Sequence, residues 1–124
     1  MLSERQLELA KSKPKEFLQQ YALLKVRANV KLERIDLWQE YQEYEPVQEL
    51  CRDIFSEAKE LMRLAFETEE LIKQADISDQ YKTVLYLRYI EGKTAEDSAK
   101  TLGVVKRWCQ RLQAKALDAF AQAI

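Results

Sequence analysis

The chain has few of the residues that build metal and redox sites. It contains no histidine and only two cysteines, Cys51 and Cys109, among 124 residues. Zinc sites in proteins depend on histidine or on clustered cysteine, so we expect no metal to be bound. Two single cysteines so far apart in sequence are typical of reduced, buried thiols in the cytosol.

Glycine and proline are also scarce, with two of each. So few glycines leave no glycine-rich phosphate loop, and the composition favours long helices over turn-rich β structure. Carboxylates are abundant, but they lie in helical patterns rich in lysine and arginine, which is typical of a solvated helix face. The sequence therefore predicts an all-α fold and a protein that is not an enzyme, with no catalytic residues, cofactor or small-molecule substrate.

No run of 18 uncharged apolar residues occurs, whereas a membrane-spanning helix needs about that many. Residues 2–5, Leu-Ser-Glu-Arg, do not begin a signal peptide. We therefore expect a cytoplasmic protein without a membrane partner.

Charge is divided unevenly along the chain. Residues 1–75 hold 12 basic and 15 acidic side chains (net −3), and residues 76–124 hold 8 and 6 (net +2). Attraction to phosphate supplies most non-specific affinity for DNA. So small a basic excess predicts weak binding to random DNA and a need for a dimer, a partner or a specific site.

The N-terminal part, residues 1–75, is predicted to be a helical hairpin. Apolar residues recur with helical spacing over 15–44 and again over 47–75, and Pro46 interrupts the pattern between them. Two such helices joined by a short turn form an antiparallel hairpin. Its apolar stripes are broader than one hairpin can bury, which predicts a homodimer that forms through the hairpin.

The C-terminal part, residues 76–124, contains three shorter helical patterns near 79–91, 95–102 and 106–120. Ser78 and Thr94 are suited to cap the first two of these helices, and Gly103 is suited to the turn before the third. The spacing within 106–120 predicts a buried stripe beginning at Val105. The residues expected in the core are Val84, Leu85, Leu87, Leu102, Cys109, Leu112, Ala116 and Leu117.

Two short helices that meet at a glycine, the second with basic residues opposite its apolar stripe, have the layout of a helix-turn-helix. The partner of such a motif is double-stranded DNA. Its second helix would contact bases in the major groove, and neighbouring lysines would contact phosphate. The candidate base contacts are Lys106, Arg107, Gln110 and Arg111, and the candidate phosphate contacts are Lys93, Lys100 and Lys115.

The same segment resembles region four of the primary bacterial sigma factors. Residues 104–117 end in Q-A-K-A-L where that family has E-A-K-A-L, and residues 81–92 contain the similar run V-L-Y-L-R-Y. The likeness covers about a third of the chain and omits the other sigma regions, so the chain is not a complete sigma factor. The overall layout also resembles phage late-gene regulators of the ArpU type. These resemblances imply a three-helix DNA-binding domain and RNA polymerase as a second partner.

Three residues depart from the sigma pattern. Val105 stands where the family has a capping serine or threonine, and Ser98 stands where it has a buried aliphatic residue. Trp108 occupies a polar or basic position, where it could contact DNA or anchor a protein partner. Two functions stay open: a transcription regulator, with a DNA-packaging protein as a variant, and a protein-interaction module that has lost DNA binding.

Overall fold

The computed structural model describes residues 2–124, which form six α-helices and no strand. The predicted all-α fold is confirmed. A short 3₁₀ turn, Gln39–Tyr41, follows the second helix, and a π-helical turn, Tyr86–Ile90, continues the fourth. The helices are α1 (Glu4–Ser12), α2 (Pro14–Leu37), α3 (Glu45–Gln74), α4 (Asp79–Leu85), α5 (Ala95–Leu102) and α6 (Lys106–Ala123).

Local chemistry explains where most helices begin. The hydroxyls of Ser3, Ser78 and Thr94 accept hydrogen bonds from the backbone N–H three residues on, at 3.2, 3.3 and 3.1 Å. These bonds satisfy donors that the first turn of a helix leaves free, and they confirm the predicted caps at Ser78 and Thr94. Pro14 and Pro46 occupy the first turns of α2 and α3, where proline loses no hydrogen bond.

Two details of the predicted helices are wrong. The sequence predicts five helices, but residues 4–12 form an additional helix, α1, which packs on the rest of the chain and buries Ala10. The first long helix ends at Leu37 instead of residue 44. The chain needs several residues between the two long helices to reverse its direction. Tyr44, immediately before α3, has an extended backbone (φ −87°, ψ 113°) and so cannot belong to a helix.

Helices α2 and α3 pack along each other in opposite directions. Lys31 of α2 pairs with Glu57 of α3, and further down the hairpin Tyr21 and Glu69 line the same groove. Residues later in α2 therefore lie beside residues earlier in α3, so the two helices are antiparallel. Burial and the neighbouring carboxylate of Glu69 raise the pKa of Tyr21 to about 12, so this phenol stays protonated.

One apolar cluster joins the base of the hairpin to the C-terminal helices. Phe17 of α2 stacks on Phe120 of α6 with ring centroids 6.4 Å apart, and both rings are almost fully buried. The predicted domain boundary, between residues 75 and 76, falls within this cluster, and the two-domain division stays a prediction. The cluster includes Ala10, Phe17, Leu18, Ile72, Ala75, Val84, Leu85, Cys109, Leu112, Ala116 and Phe120.

The predicted C-terminal core is largely confirmed. Six of its eight members are buried, whereas Leu102 and Leu117 are only partly buried and pack against the cluster. The six buried members are Val84, Leu85, Leu87, Cys109, Leu112 and Ala116.

Ser98 gives the core a polar defect. Its side chain is fully buried in α5, and its hydroxyl has no hydrogen-bond partner. A buried, unpaired hydroxyl costs on the order of 1–3 kcal/mol. We therefore expect Ser98→Ala to raise the free energy of unfolding by about 1 kcal/mol in urea denaturation.

The control for Ser98→Ala is Thr101→Ala, an exposed site on the same helix that experiences a similar gain in helix propensity. Its hydroxyl already donates to the carbonyl of Asp97 at 3.1 Å. If Ser98→Ala is no more stabilising than Thr101→Ala, the buried hydroxyl carries no penalty.

Candidate nucleic-acid interface

A tight turn connects α5 to α6. Gly103 has φ +71°, its N–H donates to the carbonyl of Lys100 at 3.2 Å, and the N–H of Val104 donates to Ala99 at 2.9 Å. These two bonds form a Schellman motif, in which a left-handed residue ends a helix and glycine is favoured. The turn lets α6 begin only three residues after Gly103, and the predicted role of that glycine is confirmed.

One side of α6 is fixed in the core. Cys109, Leu112, Ala116 and Phe120 are buried, as the three- and four-residue spacing predicts. The prediction is wrong for Val105, which is 70% exposed. Val105 precedes the helix, with extended backbone (φ −78°, ψ 155°) and no side-chain cap, so the helical periodicity does not apply to it.

The opposite side of α6 is basic and exposed. Lys106, Arg107, Gln110 and Arg111 all have exposed side chains and occupy the first turns of the helix. Their spacing places them on one face, turned away from the buried stripe. We call these four residues the basic face of α6.

The three predicted phosphate contacts lie in different surroundings. Lys100 on α5 and Lys115 further along α6 are exposed, but Lys93, before α5, is half-buried. The backbone carbonyl of Lys93 accepts a hydrogen bond from Arg88 at 2.7 Å. Lys100 and Lys115 are therefore exposed to solvent, whereas Lys93 is partly buried and its backbone is tied to Arg88.

The basic face has an acidic neighbour that the sequence pattern does not indicate. Glu96, in the first turn of α5, lies 3.7 Å from the ammonium of Lys106, and both side chains are more than half exposed. Acidic residues are favoured in the first turn because they interact with the helix dipole. The ion pair with Glu96 offsets the charge of Lys106 and so reduces the positive charge that the basic face presents.

A hydrogen-bonded network holds α6 against the end of α4. Arg88 donates from Nε to the side-chain carbonyl of Gln113 at 2.8 Å, and the amide of Gln113 donates to the hydroxyl oxygen of Tyr89 at 2.7 Å. Burial raises the pKa of Tyr89, which keeps its hydroxyl neutral. The network links α4 directly to the helix that carries the basic face.

The π-helical turn explains how adjacent residues contribute to this network. The N–H of Glu91 donates to the carbonyl of Tyr86, five residues back, at 2.8 Å. The wider turn breaks the 3.6-residue period, and both Arg88 and Tyr89 contact Gln113. The run V-L-Y-L-R-Y contains both residues, but hydrophobic periodicity alone gives no sign of a π turn.

Beside the basic face lies a small apolar surface formed by Val105 and Trp108. Trp108 is 45% exposed, and it follows Val105 by three residues. An exposed indole so close to basic side chains can contact either a nucleic acid or a protein.

Within residues 2–124, no three acidic or cysteine side chains lie close enough together to hold a metal ion, and no helix combines the length and the hydropathy of a membrane span. No protein-family model matches the chain, and no curated protein or solved structure shows significant similarity to it.

Proposed function

We propose that the protein is a DNA-binding transcription regulator. The observation that supports this function is the basic face of α6, exposed on a helix whose other side is fixed in the core. In this proposal α5 and α6 are the two helices of a helix-turn-helix, and α6 enters the major groove with its N-terminal end first.

The side chains of the basic face suit base recognition. Arginine can donate two hydrogen bonds to guanine, and glutamine can pair with adenine. Arg107, Arg111 and Gln110 would then supply sequence specificity, while Lys100 and Lys115 bind phosphate of any sequence. The likeness to sigma region four and to ArpU-type phage regulators supports a promoter or operator as the target and a phage origin.

An unbiased selection from random duplex DNA at moderate salt tests this proposal. A regulator should enrich one motif, because specific sites are bound about 10³–10⁷-fold more tightly than random sequence. If the selection enriches no motif and the retained fragments are bound only as well as random DNA, the protein does not recognise a DNA sequence.

A second function, a protein-interaction module that binds RNA polymerase, is favoured by one observation. Val105 and Trp108 form an exposed apolar surface, and tryptophan is enriched among residues that dominate protein interfaces. Under this function, Trp108→Ala should abolish binding to purified polymerase, while Arg107→Ala with Arg111→Ala should leave it intact. If the chain does not bind purified polymerase, or if Trp108→Ala leaves that binding unchanged, the surface of Val105 and Trp108 is not a polymerase contact.

The ion pair between Glu96 and Lys106 leads to a gain-of-binding prediction. Glu96→Gln should free Lys106 and remove a negative charge near the phosphate backbone. Since an exposed ion pair is worth up to about 1 kcal/mol, affinity for duplex DNA should rise roughly two- to fivefold. Fluorescence anisotropy at several salt concentrations should also show a steeper salt dependence, by about one released counterion.

Glu43→Gln is the matched control for that experiment, because Glu43 is exposed in the turn between α2 and α3. It makes the same change in net charge away from the basic face. If both variants raise the affinity equally, only net charge matters and Lys106 does not contact DNA.

A further inference from the structure

The turn between α2 and α3 is built on hydrogen bonds between residues three apart. The N–H groups of Trp38, Tyr41 and Tyr44 each donate to the carbonyl three residues earlier, at 3.0 Å. In a 3₁₀ turn, side chains three residues apart lie above one another, because each turn contains three residues. The side chains of residues 38–44 are therefore sorted into three rows, each made of every third residue.

One of these rows is aromatic. Trp38 contacts Tyr41 edge to face, with ring centroids 5.8 Å apart, and Tyr44 continues the row. The exposed fractions of the three side chains are 38%, 55% and 66%. Neighbouring apolar side chains that stay exposed mark interaction surfaces. We call Trp38, Tyr41 and Tyr44 the aromatic row.

The second row faces α3. The side-chain amide of Gln42 donates to the thiol of Cys51 at 3.3 Å, and the amide of Gln48 donates to the backbone carbonyl of Gln42. Gln39, three residues before Gln42, lines the same groove beside α3. These bonds hold the turn against α3 by its glutamine row, which leaves the aromatic row exposed.

The third row, Glu40 and Glu43, is acidic and lies in an acidic segment. Residues 35–51, which we call the hairpin tip, contain no lysine or arginine and five exposed carboxylates: Asp36, Glu40, Glu43, Glu45 and Glu49. Within residues 2–124 none of the five forms an ion pair, whereas Glu57, further along α3, pairs with Lys31. Like charges repel one another in the tip, so a surface of the opposite sign would stabilise it.

The same chain carries a surface with the complementary chemistry. The basic face of α6 has three positive charges, and the exposed side chains of Val105 and Trp108 lie beside it. Residues 104–117 contain no carboxylate. Each of the two surfaces therefore combines exposed apolar side chains with charge of one sign, and the signs are opposite.

The two surfaces lie at different ends of the molecule. The apolar cluster that joins α6 to the hairpin includes hairpin residues only up to Leu18 and from Leu71 onward. Twenty residues of α2 separate Leu18 from Trp38, and at 1.5 Å per residue they place the tip about 30 Å beyond this base. The basic face that a tip contacts therefore belongs to another molecule.

We propose that the hairpin tip binds the basic face of α6 in a second copy of this chain. The carboxylates of the tip pair with Arg107 and Arg111 of the partner subunit, and the aromatic row packs on the partner's Trp108. Nucleic acid does not suit the tip, because phosphate has the same sign of charge. Each copy presents one tip and one basic face, so the contact joins copies head to tail.

The size of the aromatic row predicts a weak contact. About half of each of three rings is exposed, which is on the order of 300 Å² at roughly 200 Å² per ring. Interfaces this small are transient, and we expect a dissociation constant on the order of 100 µM at low salt. A regulator binds its site at about 10 nM or below, so the chain is monomeric when DNA binding is measured and Glu43→Gln remains a valid control there.

Equilibrium sedimentation of the full chain without DNA tests this proposal separately from the regulator function. The unaltered chain should associate between about 10 and 500 µM at low salt, and raising the salt to about 0.5 M should weaken the association because it screens exposed charges. Tyr41→Ser with Tyr44→Ser should weaken it at least about tenfold, since exposed aromatic residues dominate such contacts. These side chains are exposed, so the helical circular dichroism should not change.

Charge reversal on each surface identifies the two partners. A tip variant (Glu40→Lys with Glu43→Lys) and a face variant (Arg107→Glu with Arg111→Glu) should each associate at least about tenfold more weakly, because like charges then meet. An equimolar mixture of the two variants should associate again, since the tip of one is opposite in charge to the face of the other.

Arg27→Glu with Lys59→Glu is the matched control for the face variant, because both residues are exposed in the middle of the hairpin. It makes the same change in net charge and should leave the association intact. If the unaltered chain is monomeric at about 500 µM in low salt, or if the mixture of tip and face variants stays monomeric, the tip does not bind α6 of a second copy.

Discussion

Replacing Phe120 with alanine should lower the free energy of unfolding by about 3–5 kcal/mol. The ring is fully buried and stacks on Phe17, and it lies where α6 meets α2. Truncation would remove the ring from the centre of the cluster and leave a cavity between the hairpin and the C-terminal helices. Urea denaturation followed by circular dichroism measures the loss.

Tyr44→Ala is the control for this measurement, because Tyr44 is an exposed aromatic residue and its truncation should change stability by less than about 0.5 kcal/mol. A loss below about 1 kcal/mol for Phe120→Ala would contradict the packing of α6 on α2.

The two tryptophans can test the domain division in the same experiment. Trp38 lies in the hairpin turn and Trp108 on α6, so variants that keep only one of them report on each predicted part separately. Coincident unfolding transitions would show that residues 1–75 and 76–124 unfold as one unit, because two-state unfolding requires that different probes agree. Two separate transitions would support the division at residue 75.

The sequence predicted those features that depend on neighbouring residues. The caps at Ser78 and Thr94, the turn at Gly103 and the stripe from Cys109 onward each follow from chemistry within one or two helical turns. Helix propensity, capping and periodicity are local properties, and here tertiary packing reinforces them.

Features that depend on distant contacts were missed. The short α1 is weakly apolar, and it is stabilised by packing of Ala10 in the cluster with Phe17 and Phe120. The network of Arg88, Tyr89 and Gln113 joins residues 24 or 25 positions apart. No local pattern contains such information, because it depends on how α4 and α6 are brought together.

The candidate interface shows the same limits. Exposure of the basic face of α6 could be predicted, because a helix with one buried stripe must expose the opposite side. The pairing of Lys106 with Glu96 could not, since it depends on the angle between α5 and α6. The helical period does not extend to Val105, because this residue lies one position before the helix begins.

Arg107→Ala combined with Arg111→Ala should abolish sequence-specific DNA binding. A good bidentate contact between arginine and guanine discriminates by about 1–3 kcal/mol. Loss of two such contacts should weaken binding to the selected site by on the order of a hundredfold or more. Both side chains are exposed, so stability should change by less than about 0.5 kcal/mol and cannot account for the loss.

Lys115→Ala separates base recognition from simple charge attraction. Lys115 is exposed on α6 beyond the basic face, and a phosphate contact there would be lost equally for the selected site and for random DNA. Its removal should reduce the salt slope by about one and leave the ratio between the two affinities unchanged. The double arginine variant, by contrast, should reduce that ratio towards one. If the double arginine variant keeps the full ratio, α6 does not contact bases and the regulator function must be abandoned in favour of the interaction module.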